Sequence, residues 1–269
     1  PDNQLGNERD VIEGMQLGTV EMAMTSVAPF SSFVPSVNIF CLPFLWRDKE
    51  HMYSVLDSDE IGMSYSGDCE EKGFHLMGFL DLGTRHIMTT QKTINSIEDL
   101  KNLKIRTMEN SYHMAYWKAL GASPTPMTFS EVYIGLQQGT IDAQENPYEV
   151  IVSNKLYEQQ DYVVETNHLP HLISLIVSEE FFDSLTDEQQ QIIKEAADTA
   201  KEYAREQSDA RIASRMDTIR ESGTEIITPS EELYNEIREL CKPIYASIEN
   251  SVSQEIIDAN LGDMQEELQ

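Results

Sequence analysis

Residues 121–147 read GASPTPMTFSEVYIGLQQGTIDAQENP. Within this stretch Val132, Tyr133 and Leu136 share one face of a helical pattern. Gly139 ends that pattern, because glycine adopts the left-handed conformation of a helix C-cap without penalty, and TIDAQ then reads as a strand. The centre of the stretch, GLQQGTIDA at 135–143, has an ungapped counterpart 121 positions earlier, GMQLGTVEM at 14–22. Each copy is Gly, apolar, Gln, any, Gly, Thr, β-branched, acidic. Before the first copy Val11, Ile12 and Met15 form the same helical face, Gly18 stops it, and VEMAMTS follows as a short buried strand. Two helix-glycine-strand corners predict two α/β lobes of related design, each around a mostly buried sheet. A chance recurrence of a common corner is the competing reading. The copies then diverge, the first into AMTSVAP and the second into the polar QENP, Gln144 to Pro147.

Between the corners, GFHLMGFLDLG (73–83) is an apolar strand ending in glycine, and TRHIMTT (84–90) resumes extended, so a strand interrupted near Gly83 crosses from lobe to lobe. IEDLKNLKIRTM is a helical turn followed by a strand with Arg106 at its middle, and HLISLIVS (171–178) reads as a second crossing. A third crossing comes from a helical pattern that opens with a capping box at Thr186 and Gln189 and continues without Pro or Gly to Gly223. About 36 residues at 1.5 Å each span roughly 54 Å, longer than one lobe is wide. Three crossings make a hinge rather than a tether. The remaining SEELYNEIRELCKPIYASIENSVSQEIIDAN reads as two amphipathic helices broken near Pro243. The expected division is lobe one at 1–83 and 172–211, and lobe two at 84–171 and 212–269.

Composition narrows the function. The 269 residues carry 19 Lys and Arg against 47 Asp and Glu, a formal charge of −28, so the mean surface repels nucleic acid and anionic lipid. Acidic residues are dispersed and hydrophobics reach 40%, which marks a folded protein rather than a disordered one. No apolar run approaches the roughly 18 residues of a membrane span. Cys41, Cys69 and Cys241 suggest neither a disulfide framework nor a thiolate zinc site, though one bridge remains open. The start at PDNQLG lacks an initiator Met and a signal-type apolar stretch, so a processed or truncated N-terminus is expected.

Motifs for catalysis are missing: there is no GxSxG, GxGxxG, Walker loop or clustered metal ligand set. DSDEIG at 57–62 resembles the start of a calcium loop, but Ile61 and Asp68 stand where oxygen ligands and the terminal Glu belong. His168 and His171 flank Leu-Pro and read as ordinary exposed loop histidines, and Cys69 among acidic neighbours has a raised thiol pKa and is a poor nucleophile. Recognition is what remains. Arg106 sits in a strand between Ile105 and Thr107, and Arg85 lies just past the presumed hinge glycine. A half-buried guanidinium is either an internal salt bridge or a bidentate clamp for a ligand carboxylate. Asn146, held against Pro147, is either a turn asparagine or a fixed donor and acceptor.

With those residues in view, the chain resembles the substrate-binding proteins of TRAP (tripartite ATP-independent periplasmic) transporters. The matching stretches are QLGNERDVIEGMQLGTVEMAMTS, PFLWRDKEHM, LKIRTM, GASPTPMTFSEVYIGLQQGTIDAQENP and TNHLPHLISLIVSEEFFDSLT, in family order over nearly the whole chain. The resemblance implies an α/β, two-lobed, periplasmic-binding-protein-like fold with hinge-crossing strands and one long helix spanning both lobes. It also implies a monomer that closes on an organic acid and delivers it to TRAP membrane subunits, exported to the periplasm or tethered outside the membrane. By position, Arg106 matches the carboxylate-clamping arginine, Arg85 a second arginine near that carboxylate, Asn146 a ligand-binding asparagine and Phe129 an aromatic that packs on the ligand. On this view the first corner is purely architectural and the second ends in the cleft.

Two departures bear on the ligand. The family's strand and helix ahead of PDNQLG are not in this sequence, with any contacts they supply. Glu109 stands where sialic-acid-binding members carry asparagine, and a carboxylate there favours hydroxyl donors over a second carboxylate. The expected ligand is a sugar acid such as a hexuronate, ahead of a dicarboxylate or keto acid and then sialic acid. No enzymatic activity, cofactor or metal is expected; the competing class is an enzyme of carbohydrate-acid metabolism that uses Glu109 and Glu145 as a carboxylate pair.

Overall fold

The structure is a computed structural model that describes residues 4–250 and 252–261. In chain order its elements begin α1 (Glu8–Gln16), β1 (Met22–Ser26), α2 (Val27–Phe30), α3 (Lys49–Leu56), α4 (Asp59–Glu70) and β2 (Phe74–Thr89). They continue β3 (Lys104–Thr107), α5 (Ser111–Ala119), β4 (Ser123–Pro126), α6 (Phe129–Gln137), β5 (Ala143–Asn146), α7 (Tyr148–Ser153) and β6 (Tyr162–Ser178). The last are α8 (Glu179–Asp183), α9 (Asp187–Glu221), β7 (Glu225–Ile227), α10 (Glu231–Tyr245) and α11 (Gln254–Leu261).

The repeated phrase folds twice into the same corner. Gly18 and Gly139 have φ of +70° and +68°. The Thr19 amide donates to the Gly14 carbonyl at 2.8 Å, and the Thr140 amide to the Gly135 carbonyl at 3.0 Å. Both threonine hydroxyls bond the same carbonyls, at 3.0 and 3.1 Å. The leading glycine of each phrase lies against the β-branched residue that follows: an added Cβ would come within 3.0 Å of Val20 at Gly14 and 3.3 Å of Ile141 at Gly135. Both glycines, the threonine and the β-branched residue of the phrase therefore have a geometric reason, and the two helices are both nine residues long at matching positions. Residues 140–142 belong to the turn, so the second strand begins at Ala143 rather than at Thr140.

The strands form one mixed sheet in the order β1-β6-β2-β5-β3-β4, with β7 beside β6. The two long antiparallel strands carry it through both lobes. Phe74–Asp81 of β2 pairs with Leu172–Ser178 of β6, whose outer side takes β1; Thr84–Thr89 pairs with Tyr162–Pro170 and, on its other side, with β5. The register slips between Asp81 and Thr84, at the expected crossing. There Gly83 has φ +94° and its amide donates to the buried Asp81 carboxylate at 2.7 Å. Tyr53 and Lys49 hold the other oxygen of Asp81, and Lys49 also pairs with Asp209 of α9. Pro124 and Pro126 fall on β4, the edge position where a missing amide costs no ladder bond.

The long helix α9 is capped by the box expected at Thr186 and Gln189. It is tied to α3 and its neighbourhood through Arg205–Asp57 and to α7 through Arg215–Glu149.

Several expectations are corrected. The strand expected at 171–178 starts at Tyr162, so His168 and His171 are buried strand residues rather than exposed loop residues. The first strand is not fully buried, because β1 has only β6 as a neighbour and leaves Met24 67% exposed. α10 runs through Pro243 to Tyr245: a proline in the last turn forfeits one helical bond, and burial of Cys241, Ile244 and Tyr245 outweighs it. α11 packs on α4 and the 3-10 turn at Pro35–Cys41, so the end of the segment assigned to lobe two lies against elements assigned to lobe one. The backbone of residues 59–70 is helical, not a calcium loop; the side chains of 59–64 lie outside the described residues. Cys41, Cys69 and Cys241 are free and buried, and burial pushes the last two thiols up to about 12.

Candidate functional site

The two corners face a common cleft of about 220 Å³. Each sends it the N-terminal end of its helix: Asn7 and Glu8 from α1, Thr128 and Phe129 from α6, residues at matching places in the repeat. Each also brings a strand end, Ser26 from β1 and Asn146 from β5. The expectation that the first corner is purely architectural is thus corrected. Arg106, Met108 and Glu109 supply one wall and His171 of β6 another.

Arg106 is 3% exposed. Its Nε and Nη2 donate to the Met127 carbonyl at 2.9 and 2.7 Å, and its guanidinium lies 5.7 Å from the centre of the Phe129 ring. Among the described residues no carboxylate comes within 4 Å of it, so the internal salt-bridge reading fails here. Burial, and next the charge of Arg85, lower its pKa to about 10, which leaves it cationic at neutral pH. A planar cation is thus held in place by a neutral carbonyl, with donors left over on the cleft side.

Asn146 is oriented by a line of amides. The Met88 carbonyl can only accept, so it takes Gln160 Nε2 at 2.8 Å; Gln160 Oε1 then accepts Gln144 Nε2 at 2.9 Å. Gln144 Oε1 in turn accepts Asn146 Nδ2 at 2.7 Å. All three side chains are at least 98% buried, so the polarity of the line is set by its end, and Asn146 Oδ1 is the acceptor left for the cleft.

Arg85 occupies a different layer. It is fully buried, does not line the cleft, and grips Glu145 through Nε and Nη2, with a further bond to the Glu145 carbonyl. Its Nη1 donates to His171 Nδ1. His168 Nε2 donates to Glu145 at 3.1 Å, its Nδ1 meets Thr166 Oγ1 at 2.8 Å, and its ring stacks on Tyr116. Burial alone would raise the Glu145 pKa, but the Arg85 charge and the His168 bond overcome that and hold it well below the usual carboxylate range. Burial lowers the pKa of His168, and burial together with Arg85 that of His171. Glu145 is therefore not free to pair with Glu109, and the carboxylate pair imagined for catalysis does not form.

Of the residues expected from sequence, Arg106, Asn146, Phe129 and Glu109 converge on the cleft and Arg85 stands behind it. Glu8, Ser26 and His171 were missed. The repeat held the signal for Glu8, the counterpart of Phe129, but not for Ser26, whose counterpart Pro147 does not line the cleft. Glu8 accepts the Ser26 amide, so the first corner brings a carboxylate to the cleft that Arg106 also lines.

Residues 1–251 match the family model described as bacterial extracellular solute-binding protein, family 7. The chain belongs to this family. A solute-binding protein of Verminephrobacter eiseniae is 38% identical over 223 residues, 83% of this chain and 66% of the relative, so the chain spans about two thirds of that relative's length. The 2,3-diketo-L-gulonate-binding periplasmic protein YiaO of Escherichia coli is 34% identical over 246 residues, 89% of this chain and 75% of the relative. A TRAP periplasmic solute-binding protein from Sulfitobacter sp. NAS-14.1, solved with bound β-D-galacturonate, superimposes with a TM-score of 0.89 at 30% identity, covering 96% of this chain and 85% of that one. This family 7 chain therefore has the two-lobed α/β fold of TRAP binding proteins. Among its described residues no helix is long and apolar enough to cross a membrane.

Proposed function

We propose that this family 7 protein binds a polyhydroxy monocarboxylate, a sugar acid of the hexuronate or keto-aldonate kind, between its lobes and presents it to TRAP membrane subunits outside the cytoplasm. The observation that carries the reading is Arg106, a buried cation in the cleft with no carboxylate within 4 Å among the described residues and its orientation already fixed by Met127. A ligand carboxylate supplies the missing counter-charge bidentately. Asn146 Oδ1, Glu109 and Glu8 accept from hydroxyls, and Phe129 packs on the apolar face of the carbon chain. Glu8 and Glu109 add negative charge to the cleft and repel a second carboxylate, which disfavours dicarboxylates against a uronate. The galacturonate bound by the Sulfitobacter neighbour and the diketogulonate in the name of the E. coli relative support this class. Contacts from both lobes supply the differential affinity that favours a closed form, with hinge points at Gly83 and Pro170.

Calorimetric titration with galacturonate, 2,3-diketogulonate, succinate and sialic acid tests it. The wild type is expected to bind a sugar acid, and Arg106→Ala and Arg106→Lys to lose about 2 to 5 kcal/mol of affinity with little change in melting temperature. Unchanged affinity in Arg106→Ala would sink the clamp. A smaller radius of gyration on saturation is expected from scattering.

A further inference from the structure

His171 and Arg85 meet at the back of the cleft in a way that no expectation from sequence covered. Resting on the proposed reading of the cleft, we propose that His171 is a specificity residue, presenting a neutral Nε2–H donor to an acceptor oxygen of the bound acid, and that Arg85 serves the ligand only by fixing that donor.

The argument starts from what a guanidinium is able to do. Arginine has donors and no acceptor, so the His171 nitrogen that meets Arg85 Nη1 must accept. That nitrogen is Nδ1, and a neutral imidazole with a lone pair on Nδ1 carries its proton on Nε2. His171 Nε2 has no protein partner among the described residues and is not sealed away from the surface, while the ring lines the same cleft as Arg106 and Asn146. The side chain is only 6% exposed, and the cleft is the opening it lines. Protonation is opposed first by burial, then by Arg85, with His113 and Arg106 adding to the opposition; Glu145 alone favours it, and its carboxylate is already gripped by Arg85.

Arg85 makes four contacts, three of them to Glu145. Its charge is thereby compensated inside the protein and its orientation fixed, which makes it a rigid template for the His171 ring rather than a second cation for the ligand. The wall then offers three different chemistries: a cationic fork, an uncharged donor and an uncharged acceptor. An acid with one carboxylate and additional hydroxyl, carbonyl or ring oxygens satisfies all three, whereas a simple alkanoate leaves the His171 donor unpaired.

Long-range ¹H–¹⁵N spectra of the histidine rings at pH 7 test the donor without any substitution. The Nε2–H tautomer of His171 is expected in the ligand-free protein, with a shift of its Nε2 on adding D-galacturonate or 2,3-diketo-L-gulonate. An Nδ1–H tautomer or an imidazolium overturns the proposal whatever the ligand. Two variants separate position from structure. His171→Gln places an amide NH₂ near Nε2 and should stay within about threefold of wild-type affinity, whereas His171→Asn keeps an acceptor for Arg85 but falls short of the cleft and should bind about tenfold or more weakly. Equal affinity of the two variants, or an Nε2 unmoved in the presence of bound acid, overturns it as well. If no acid of the panel binds the wild type while the Nε2–H tautomer is found, the reading of the ligand class fails and the presented donor stands.

Discussion

At Met24 the strand of the first corner leaves a side chain 67% exposed, and at Glu145, the matching place 121 positions on, the strand of the second holds a carboxylate 1% exposed. The corners themselves agree bond for bond. What differs is company: β1 has one neighbour, whereas β5 is inserted between β2 and β3. An apolar residue tolerates the edge. A central strand end at the lobe junction instead brings Gln144, Glu145 and Asn146 under cover, and each then needs, and finds, a polar partner. Local phrase and global role are thus set separately: the phrase dictates how the chain turns, and the sheet position dictates what the next residues are for.

The largest test of that contrast is Glu145→Ala against Met24→Ala. Removing Glu145 strands the buried Arg85 charge and should cost about 3 to 5 kcal/mol in urea unfolding, while Met24→Ala should stay within about 0.5 kcal/mol. Comparable losses would break the comparison. Acidity should divide the corners next. Burial holds His86 and His113 down to about 3, and His168 and His171 are also lowered; all four belong to β2, α5 and β6 around the second corner. Their folded pKa lies below the unfolded value, so the unfolded chain binds the extra protons. Stability is full above about pH 6.5 and falls as pH drops toward about 3, by up to about 1.4 kcal/mol per pH unit for each histidine. Melting temperatures between pH 4 and 8 check the slope, and hydrogen exchange should show β5 losing protection before β1.

A smaller effect separates the matched pair Thr25 and Asn146. Asn146→Ala should weaken sugar-acid binding about tenfold, whereas Thr25→Ala, which loses a buried bond to Ser174, should cost about 1 kcal/mol of stability and leave affinity intact. The smallest difference should come from the shared glycines. Gly18→Ala and Gly139→Ala both force a side chain into the left-handed region with room for the Cβ, so each should cost about 1 to 2 kcal/mol, equal within about 0.5 kcal/mol. Unequal costs would mean that the corners are not the same unit.

Much of this was legible in the chain itself. The capped helix from Thr186, the crossing at Gly83 and the cleft position of Arg106 were readable because each rests on local chemistry: a cap, a glycine, a charge on an apolar strand. Asn146, Phe129 and Glu109, which line the same cleft, were pointed to by the family resemblance. The rest depends on who sits beside whom. Arg85 and Arg106 look equally suited to a ligand in sequence, and only the fold gives one of them Glu145 and the other a backbone carbonyl. His168 and His171 flank a proline and read as a turn, yet a long antiparallel partner draws that segment into β6. Pro243 likewise reads as a helix end until the burial of its neighbours is known.

The 35 residues of α9 span roughly 52 Å and touch both lobes, with Ala197 and Ile219 its fully buried side chains. Such a rod is an internal ruler. Spectroscopic labels on cysteines introduced at the exposed Gln191 and Glu221 should stay about 45 Å apart whether or not acid is present, while a pair placed across the cleft should draw closer. The native thiols, buried and hard to ionise, should remain unlabelled, so the protein carries its own distance standard for measuring how far it shuts.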